Sequence, residues 1–458
     1  MHLSNKTDIF LFFIKGDKRS SNLKKNVIYS FFIKILSIGI SLILVPMTID
    51  FVNPMQYGIW LTISSIVAWF SFFDIGFTNG LRNKLAEALA SNNIVLAKKY
   101  ISTTYAILSC IFIVLMFISI LSIPHLNLVK LLNIDISLES DVQLTLILVV
   151  CHFCITFVLK IINFILLARQ QPAISSLIDL IGQTLSLFAI FLLKNWILEG
   201  SLFILGLALC IPPIIVLIIS TIYIFTKPYK NLRPSVHSVD LSYTKDLLGL
   251  GIKFFIIQIA AIIQFQTSNI IIARFYSMED VTIYNISYKY FGVIYMTFMI
   301  MLQPFWSAVT DAYYKNDFNW IKNAIRRYCH IALGLILLGG LMLIFSEYAY
   351  QLWLGKNKID IPNSVSVWTY IYYCTTMLGA IFVYFVNGIG ALKIQFISSL
   401  ISPFIFLLTT ILMCRVLHWG IYSVLIASII ANFNGIILAP LQYYKIISKA
   451  NVKNIWKS

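Results

Sequence analysis

Charge is what this chain lacks. Asp, Glu, Lys and Arg make up 11% of its 458 residues, and only 18 residues are acidic. Soluble domains carry about a quarter charged residues, so a soluble enzyme of several domains is excluded. Disulfide frameworks are missing as well. The seven cysteines all fall in apolar stretches or at their ends, and the short external loops offer no pair to bridge. Cys151-His152-Phe153-Cys154 has half the spacing of a metal site, but no second pair follows, so these residues read as small core groups around a core histidine. The chain has no Walker motif, no GxGxxG, no HExxH and no carboxylates paired at glycosidase spacing. An ATPase or a soluble-type catalyst is therefore excluded, and neither a cofactor nor a metal is expected.

What is present is apolar. Hydrophobic residues make up 59% of the chain and mean hydropathy is +0.87. Twelve runs are long enough to cross a bilayer, at residues 27–49, 57–80, 100–122, 142–168, 173–193, 202–226, 247–273, 281–309, 329–353, 364–387, 394–416 and 419–444. A helix of about 23 residues measures about 34 Å against a hydrocarbon core of about 30 Å. The expected fold class is all-α, a polytopic membrane protein of twelve transmembrane helices.

The net charge of +16 does not form a nucleic-acid-binding patch. Counting from the N-terminal tail, every second inter-span segment, with the C-terminal tail, holds 24 of the 34 Lys and Arg; the alternate loops hold six and the spans four. By the positive-inside rule both termini are cytoplasmic and the number of spans is even. Residues 9–14 are too short to span or to serve as a signal-peptide core and read as an interfacial stretch.

A shift of 224 residues brings the two halves into register. Glu87 meets Asp311, Asn93 meets Asp317, Lys98 meets Lys322, Asn163 meets Asn387, Arg169 meets Lys393 and Gln171 meets Gln395. Six spans return the chain to its starting side, so the repeats are expected as parallel bundles with a binding site where they meet. The expected division is a tail (1–26), a six-helix bundle (27–226), a cytoplasmic linker (227–246), a second six-helix bundle (247–445) and a tail (446–458). The segments after spans 2 and 8, starting at Arg82 and Asp311, read as short amphipathic helices with a polar break.

Among the charges that fall within the spans, six are singled out: Lys34, Asp74, Lys160, Asp179, Lys253 and Lys289. At mid-depth facing lipid they would cost about 2.5–3.5 kcal/mol each, together more than the 5–15 kcal/mol that holds a typical fold. Some must face a cavity, pair or snorkel. Helical spacing places Lys34 with Ser30, Ser37, Ser41 and Thr48, and Asp74 with Ser64, Ser71, Thr78 and Arg82. It likewise groups Lys160 with His152, Thr156, Asn163 and Gln170, and Asp179 with Ser175, Gln183 and Ser186. Gln258, Gln266 and Asn269 share a face of span 7, and Lys289 shares one with Thr282 and Asn285. Lys253, near a helix end and off the glutamine face, reads as snorkelling. The aromatic residues read mostly as lipid-facing surface and interfacial belt.

Four intramembrane lysines against two aspartates favour an anionic cargo. The expected substrate-binding residues are Lys34, Arg82, Lys160, Asn163, Gln258, Gln266, Asn269 and Lys289, with Asp74 and Asp179 as candidates for coupling to a proton or sodium gradient. A drug or cation antiporter is the rival of like fold, although its pocket would need buried carboxylates. A membrane glycan polymerase or glycosyltransferase is the rival of another class, but the longest external loop, residues 123–141, is too small a platform.

One stretch carries a family pattern: Ser30-Phe-Phe-Ile-Lys34 running to Pro46, Tyr57-Gly58, Phe73-Asp74-Ile-Gly76-Phe77 through Gly80-Leu-Arg82, and Ala86-Glu87-Ala88. It resembles the polysaccharide-exporting branch of the multidrug/oligosaccharidyl-lipid/polysaccharide (MOP) transporter superfamily, and within it the O-antigen flippases of the Wzx type. The resemblance implies a V-shaped, MATE-like pair of six-helix bundles that alternate between inward and outward openings in the bacterial cytoplasmic membrane. It implies as cargo an undecaprenyl-diphosphate-linked oligosaccharide, with membrane lipids and the polymerase and chain-length proteins of the same pathway as partners.

Overall fold

The computed structural model describes residues 18–448 except 75, 133, 170, 197–199, 315 and 357. The interfacial stretch expected at residues 9–14 lies outside the described residues. So do the side chains of Lys253 and Gln258, within a helix whose backbone is described.

The described chain is helical, with no strand among the described residues. In order the helices are α1 (Lys18–Phe51), α2 (Pro54–Ala68), α3 (Phe77–Ala90), α4 (Ile94–Ser122), α5 (Leu128–Leu132), α6 (Glu139–Leu159), α7 (Ile161–Ala168), α8 (Pro172–Trp196) and α9 (Leu202–Thr226). They continue as α10 (Thr244–Phe275), α11 (Met278–Tyr314), α12 (Phe318–Ile344), α13 (Ser346–Leu354), α14 (Asn363–Gly388), α15 (Lys393–Ile411), α16 (Ser423–Ala431) and α17 (Ala439–Ser448). Eight stretches among the described residues are single helices long and apolar enough to cross a membrane. The pair Ser423–Ala431 and Asn434–Ile447, bent by 46°, makes a ninth if read as one span. The remaining three expected spans fall on the helices α2, α10 and α11, so twelve is compatible with the structure. Large apolar side chains stand outward, among them Phe117 on α4, Leu337 on α12 and Phe404 and Leu408 on α15, each more than 60% exposed. Water would not tolerate so much exposed apolar surface, and hydrocarbon does.

Contacts divide the chain into two compact units. The first takes the described residues of Met1–Phe51 with Phe70–Leu126 and Ser140–Phe254. The second takes Val52–Trp69, Asn127–Glu139 and the described residues of Phe255–Ser458. In the first unit α8 packs between α1 and α9, and α3 packs on α4 and α7. In the second, α11 is central, touching α2, α12 and α14. There Gly58 lets α2 approach the α11 backbone so closely that a Cβ at this position would lie 1.8 Å from the Met278 carbonyl oxygen.

Span 2 departs from the continuous helix expected over residues 57–80. α2 ends at Ala68, a 3-10 segment covers Trp69–Asp74, and Gly76 adopts φ +86° before α3 begins. Only glycine enters that left-handed region at little cost. The face expected to group Ser64 and Ser71 with Asp74 and Thr78 is therefore broken, because helical periodicity does not continue through such a turn.

Positions 224 apart share local structure. Asn92 and Asn316 both have positive φ, at 55° and 57°. Each is followed by a helix cap: the Asn93 side chain accepts from the Leu96 N–H, and that of Asp317 from the Trp320 N–H. Asparagine and aspartate tolerate both roles because a short side-chain oxygen can replace a missing backbone partner.

The segment after α9 is strapped to the first unit. Asp240 N–H donates to Thr103 Oγ1 (3.0 Å), and that hydroxyl donates back to the Asp240 carbonyl (3.2 Å). Lys99 Nζ lies 3.1 Å from Asp240 Oδ2, and Tyr100 meets Tyr243 edge-on at 5.2 Å. The Arg169 guanidinium covers the Tyr229 ring at 4.4 Å, while the Tyr229 hydroxyl donates to Gln171.

Candidate functional site

Four helices of the first unit surround a cavity of about 390 Å³. α1 contributes Lys34 and Ser37, α6 contributes His152 and Thr156, and the junction of α6 and α7 contributes Lys160. α8 contributes Ser176, Asp179, Gly182 and Gln183, and α9 closes the wall with Pro213 and Leu217. The helical faces expected for Lys34, Lys160 and Asp179 thus converge, although the residues are far apart in sequence.

The wall is held by polar contacts. Ser37 Oγ donates to Gln183 Oε1 at 2.6 Å, and the hydroxyls of Ser30 and Ser176 lie 3.4 Å apart. Lys160 Nζ stands 3.8 Å from Asp179 Oδ1, with both side chains about half exposed. That separation in a wet setting is a loose ion pair, of the kind worth about 1 kcal/mol or less. Lys34 has no ion-pair partner among the described residues. Two lysines against one carboxylate leave the lining with a net charge of +1, histidine being neutral.

α9 explains the position of His152. Pro213 lacks an N–H, which leaves the Leu209 carbonyl without its helical donor. The Ser186 hydroxyl reaches that oxygen at 3.4 Å. One residue on, the Cys210 carbonyl lies 2.9 Å from His152 Nδ1. A carbonyl only accepts, so Nδ1 carries the hydrogen and Nε2 is left with a lone pair. Gly182 makes room for this proline break, since a Cβ there would stand 3.2 Å from Pro213 Cα.

The other expected site residues lie elsewhere. Asp74, buried at 8% exposure, caps α3: its two oxygens accept from the Thr78 N–H (3.1 Å) and the Thr78 hydroxyl (2.8 Å). A carboxylate at a helix N-terminus is favoured by the helix dipole as well as by these bonds. Arg82 is exposed on α3, and Asn163 is buried on α7, its Oδ1 without a hydrogen-bond partner among the described residues. In the second unit Gln266 is half-buried on α10. Asn269 donates to Ser65 Oγ at 2.7 Å and accepts from Asn285 at 2.8 Å. Lys289 Nζ donates to the Tyr57 hydroxyl oxygen at 3.2 Å.

The second unit also holds a tyrosine cluster that the sequence reading missed. Tyr284, Tyr288 and Tyr295 of α11 interleave with Tyr372 and Tyr373 of α14, with ring centroids 5.1–5.8 Å apart. The Tyr373 hydroxyl donates to the Tyr288 carbonyl at 3.0 Å. These rings pack against one another, an exception to the expectation that the aromatics are mostly lipid-facing or interfacial. The spacing of 284, 288 and 295 was the available signal, since residues four and seven apart share one helix face.

The comparisons with known proteins agree with this architecture. Residues 23–307, well over half of the chain, match the model of a family described as polysaccharide biosynthesis protein. A Salmonella typhi protein named for O-antigen transport is 22% identical over 364 residues, 79% of this chain and 82% of its own. A Yersinia pseudotuberculosis protein named for O-antigen export is 22% identical over 372 residues, 80% and 83% of the two chains. An inward-facing multidrug resistance MATE transporter of the MOP superfamily superposes with a TM-score of 0.71 at 13% identity, covering 92% of this chain and 98% of its own. A MOP superfamily transporter from Pyrococcus furiosus, described as having a binding pocket of reverse polarity, gives 0.63 at 14% identity over 95% and 97%. These two likenesses establish the fold. With the family match, the comparisons place the chain in the polysaccharide biosynthesis protein family, as a multi-pass membrane transporter with the MATE-like fold.

Proposed function

We propose that the protein moves an undecaprenyl-diphosphate-linked oligosaccharide from the cytoplasmic to the periplasmic leaflet of the bacterial inner membrane, for O-antigen or a related surface polysaccharide. The observation that carries this reading is the cavity of the first unit, where Lys34 and Lys160 outnumber Asp179. A diphosphate cannot enter hydrocarbon unpaired, and lysine ammonium groups supply charge-assisted hydrogen bonds to its oxygens. The relatives named for O-antigen transport and export support the cargo class.

In this mechanism both termini are cytoplasmic, as the loop charges require. Arg82 attracts the headgroup, and Lys34 and Lys160 hold the diphosphate. The prenyl tail stays in lipid, and alternating access then exposes the site to the other side. Each unit offers its own polar groups for the glycan, Asn163 in the first and Gln258, Gln266, Asn269 and Lys289 in the second. Of the two carboxylates expected to couple transport to a proton or sodium gradient, Asp179 lines the diphosphate site, whereas the oxygens of Asp74 already cap α3. A cation or drug antiporter of the same fold would need an excess of acid in this cavity, and the excess is basic.

The test is complementation of a deletion strain. Wild-type chain restores surface glycan; Lys34→Ala and Lys160→Ala each reduce it at least tenfold, because a charged hydrogen bond is worth about 1.5–3 kcal/mol. Arg at either position retains a substantial part. Wild-type glycan levels with Ala at both positions would overturn the assignment.

A further inference from the structure

The cavity contains one group that the transport scheme leaves unused: the second ring nitrogen of His152. We propose that His152 is the proton site of the cavity and takes up one proton when the diphosphate binds, so that cargo and proton enter together. The proposal rests on the diphosphate reading above and deepens it.

Three observations support it. First, the ring is fixed in one tautomer. Nδ1–H is committed to the Cys210 carbonyl at the proline break of α9, so the group left to titrate is Nε2, on a residue that lines the cavity. Nε2 has no hydrogen-bond partner among the described residues. Second, the carboxylates are engaged elsewhere. Asp74 spends both oxygens on Thr78, and Asp179 faces Lys160. Protonating Asp179 would remove the one negative charge that offsets the two lysines, whereas protonating His152 breaks no bond of its own.

Third, the charges close with one added proton, and only on the histidine does that proton also create a new donor to the anion. The charged groups lining the cavity with it are Lys34 from α1, Lys160 from the end of its own helix and Asp179 from α8. α9 faces it with the Cys210 carbonyl, and Cys151 and Cys154 flank it on α6. Without cargo these groups sum to +1, and a further cation on the ring is opposed by both lysines. A diphosphate diester brings two negative charges and turns the sum to −1; a proton on Nε2 returns it to zero. Where the bound anion displaces water from these groups, the neutral sum is the stable one. Protonated Nε2 then donates a charge-assisted hydrogen bond to the anion, the third such donor after the two lysines. By linkage, a ligand that raises the proton affinity of a group is itself bound more tightly where that group is protonated.

The probe is symmetrical dimethyl diphosphate, a diester whose own charge does not change between pH 5 and 8. It is titrated calorimetrically into the purified full-length protein in buffers of different ionisation enthalpy. The expected result is uptake of about one proton per diester bound at pH 7.5, with affinity falling up to about tenfold per pH unit as pH rises. His152→Gln, whose amide can still donate to the Cys210 carbonyl, should bind the diester with no net proton uptake and no pH dependence. Diester binding that takes up no proton in the wild type would overturn the role of His152 alone, and needs no variant to fold. Uptake unchanged in His152→Gln would do the same. If dimethyl diphosphate does not bind the wild type at all, the diphosphate reading falls first and this inference with it.

Discussion

The two units carry the same repeat but different chemistry. At a shift of 224 residues Lys34 falls on Gln258, His152 on Thr376, Lys160 on Tyr384, Asp179 on Pro403 and Gln183 on Leu407. Every charged or titratable residue of the first unit's cavity has a neutral counterpart in the second. In place of charge, the second unit buries phenols and amides: the Tyr288, Tyr372 and Tyr373 cluster and the chain from Ser65 through Asn269 to Asn285. The caps at Asn93 and Asp317 match at this shift, while the cavity residues do not. The first unit suits a charged headgroup. The second offers hydroxyls, amides and ring faces, the groups that contact neutral sugars.

The largest expected effect comes from removing that asymmetry. Ala at both Lys34 and Lys160 leaves the cavity with only Asp179, a net charge of −1. Binding of dimethyl diphosphate should fall at least 100-fold, measured by calorimetry. Binding that survives would place the anion site elsewhere.

The next effect has the opposite sign. Asp179→Asn removes the resident anion that competes for Lys160 at 3.8 Å. Diester affinity should rise several-fold, a gain limited by the modest worth of a half-exposed pair. Weaker binding would show that Asp179 positions Lys160 rather than competing for it.

In the second unit the stakes are structural. Tyr373→Phe keeps the ring stacked on Tyr288 and removes the hydroxyl that serves the Tyr288 carbonyl. We expect a loss of about 1–2 kcal/mol, read as a lower midpoint of thermal unfolding, with dimethyl diphosphate affinity unchanged. A change in diester affinity of more than about threefold would mean that the tyrosine cluster reaches the anion site.

The smallest effect concerns the strap after α9. Bonds from Ser242, then the Lys99 ammonium, hold the Asp240 carboxyl below the usual carboxylate range. Its pKa is lower folded than unfolded, so its contribution is present above the unfolded value, near 3.9, and is lost as pH falls through the folded value. Limited pepsin digestion should release the strap increasingly below about pH 4, and Asp240→Asn should flatten that dependence. A wild-type profile as flat as the variant's would remove Asp240 from the latch.

Much of this was legible in the sequence, for identifiable reasons. Hydropathy and loop charge report on lipid, an environment that every span shares, so the spans and the all-α class could be read residue by residue. The faces of Lys34, Lys160 and Asp179 could be read too, because helical spacing is fixed by the backbone. Their convergence depends on how α1, α6 and α8 pack, which spacing alone does not specify. The break at Gly76 was hidden because glycine is also common inside membrane helices. It turned Asp74 from a stripe residue into a helix cap. His152 read as a core histidine, and its tether to Cys210 does place it in the core. That one nitrogen is tied to the Cys210 carbonyl depends on how α6 packs on α9, which spacing within one helix does not show. The tyrosines were misread because a ring facing lipid and a ring facing its neighbour have the same hydropathy.

The central claim is that the lysine cavity carries a diphosphate-linked glycan across the membrane. The most direct measurement uses proteoliposomes loaded with undecaprenyl-diphosphate oligosaccharide, following how fast the glycan becomes accessible to an enzyme added outside. Wild type should transfer it to the outer leaflet, and the variant with Ala at Lys34 and Lys160 should do so at less than a tenth of that rate. Equal rates from a variant that unfolds at the wild-type temperature would contradict the account.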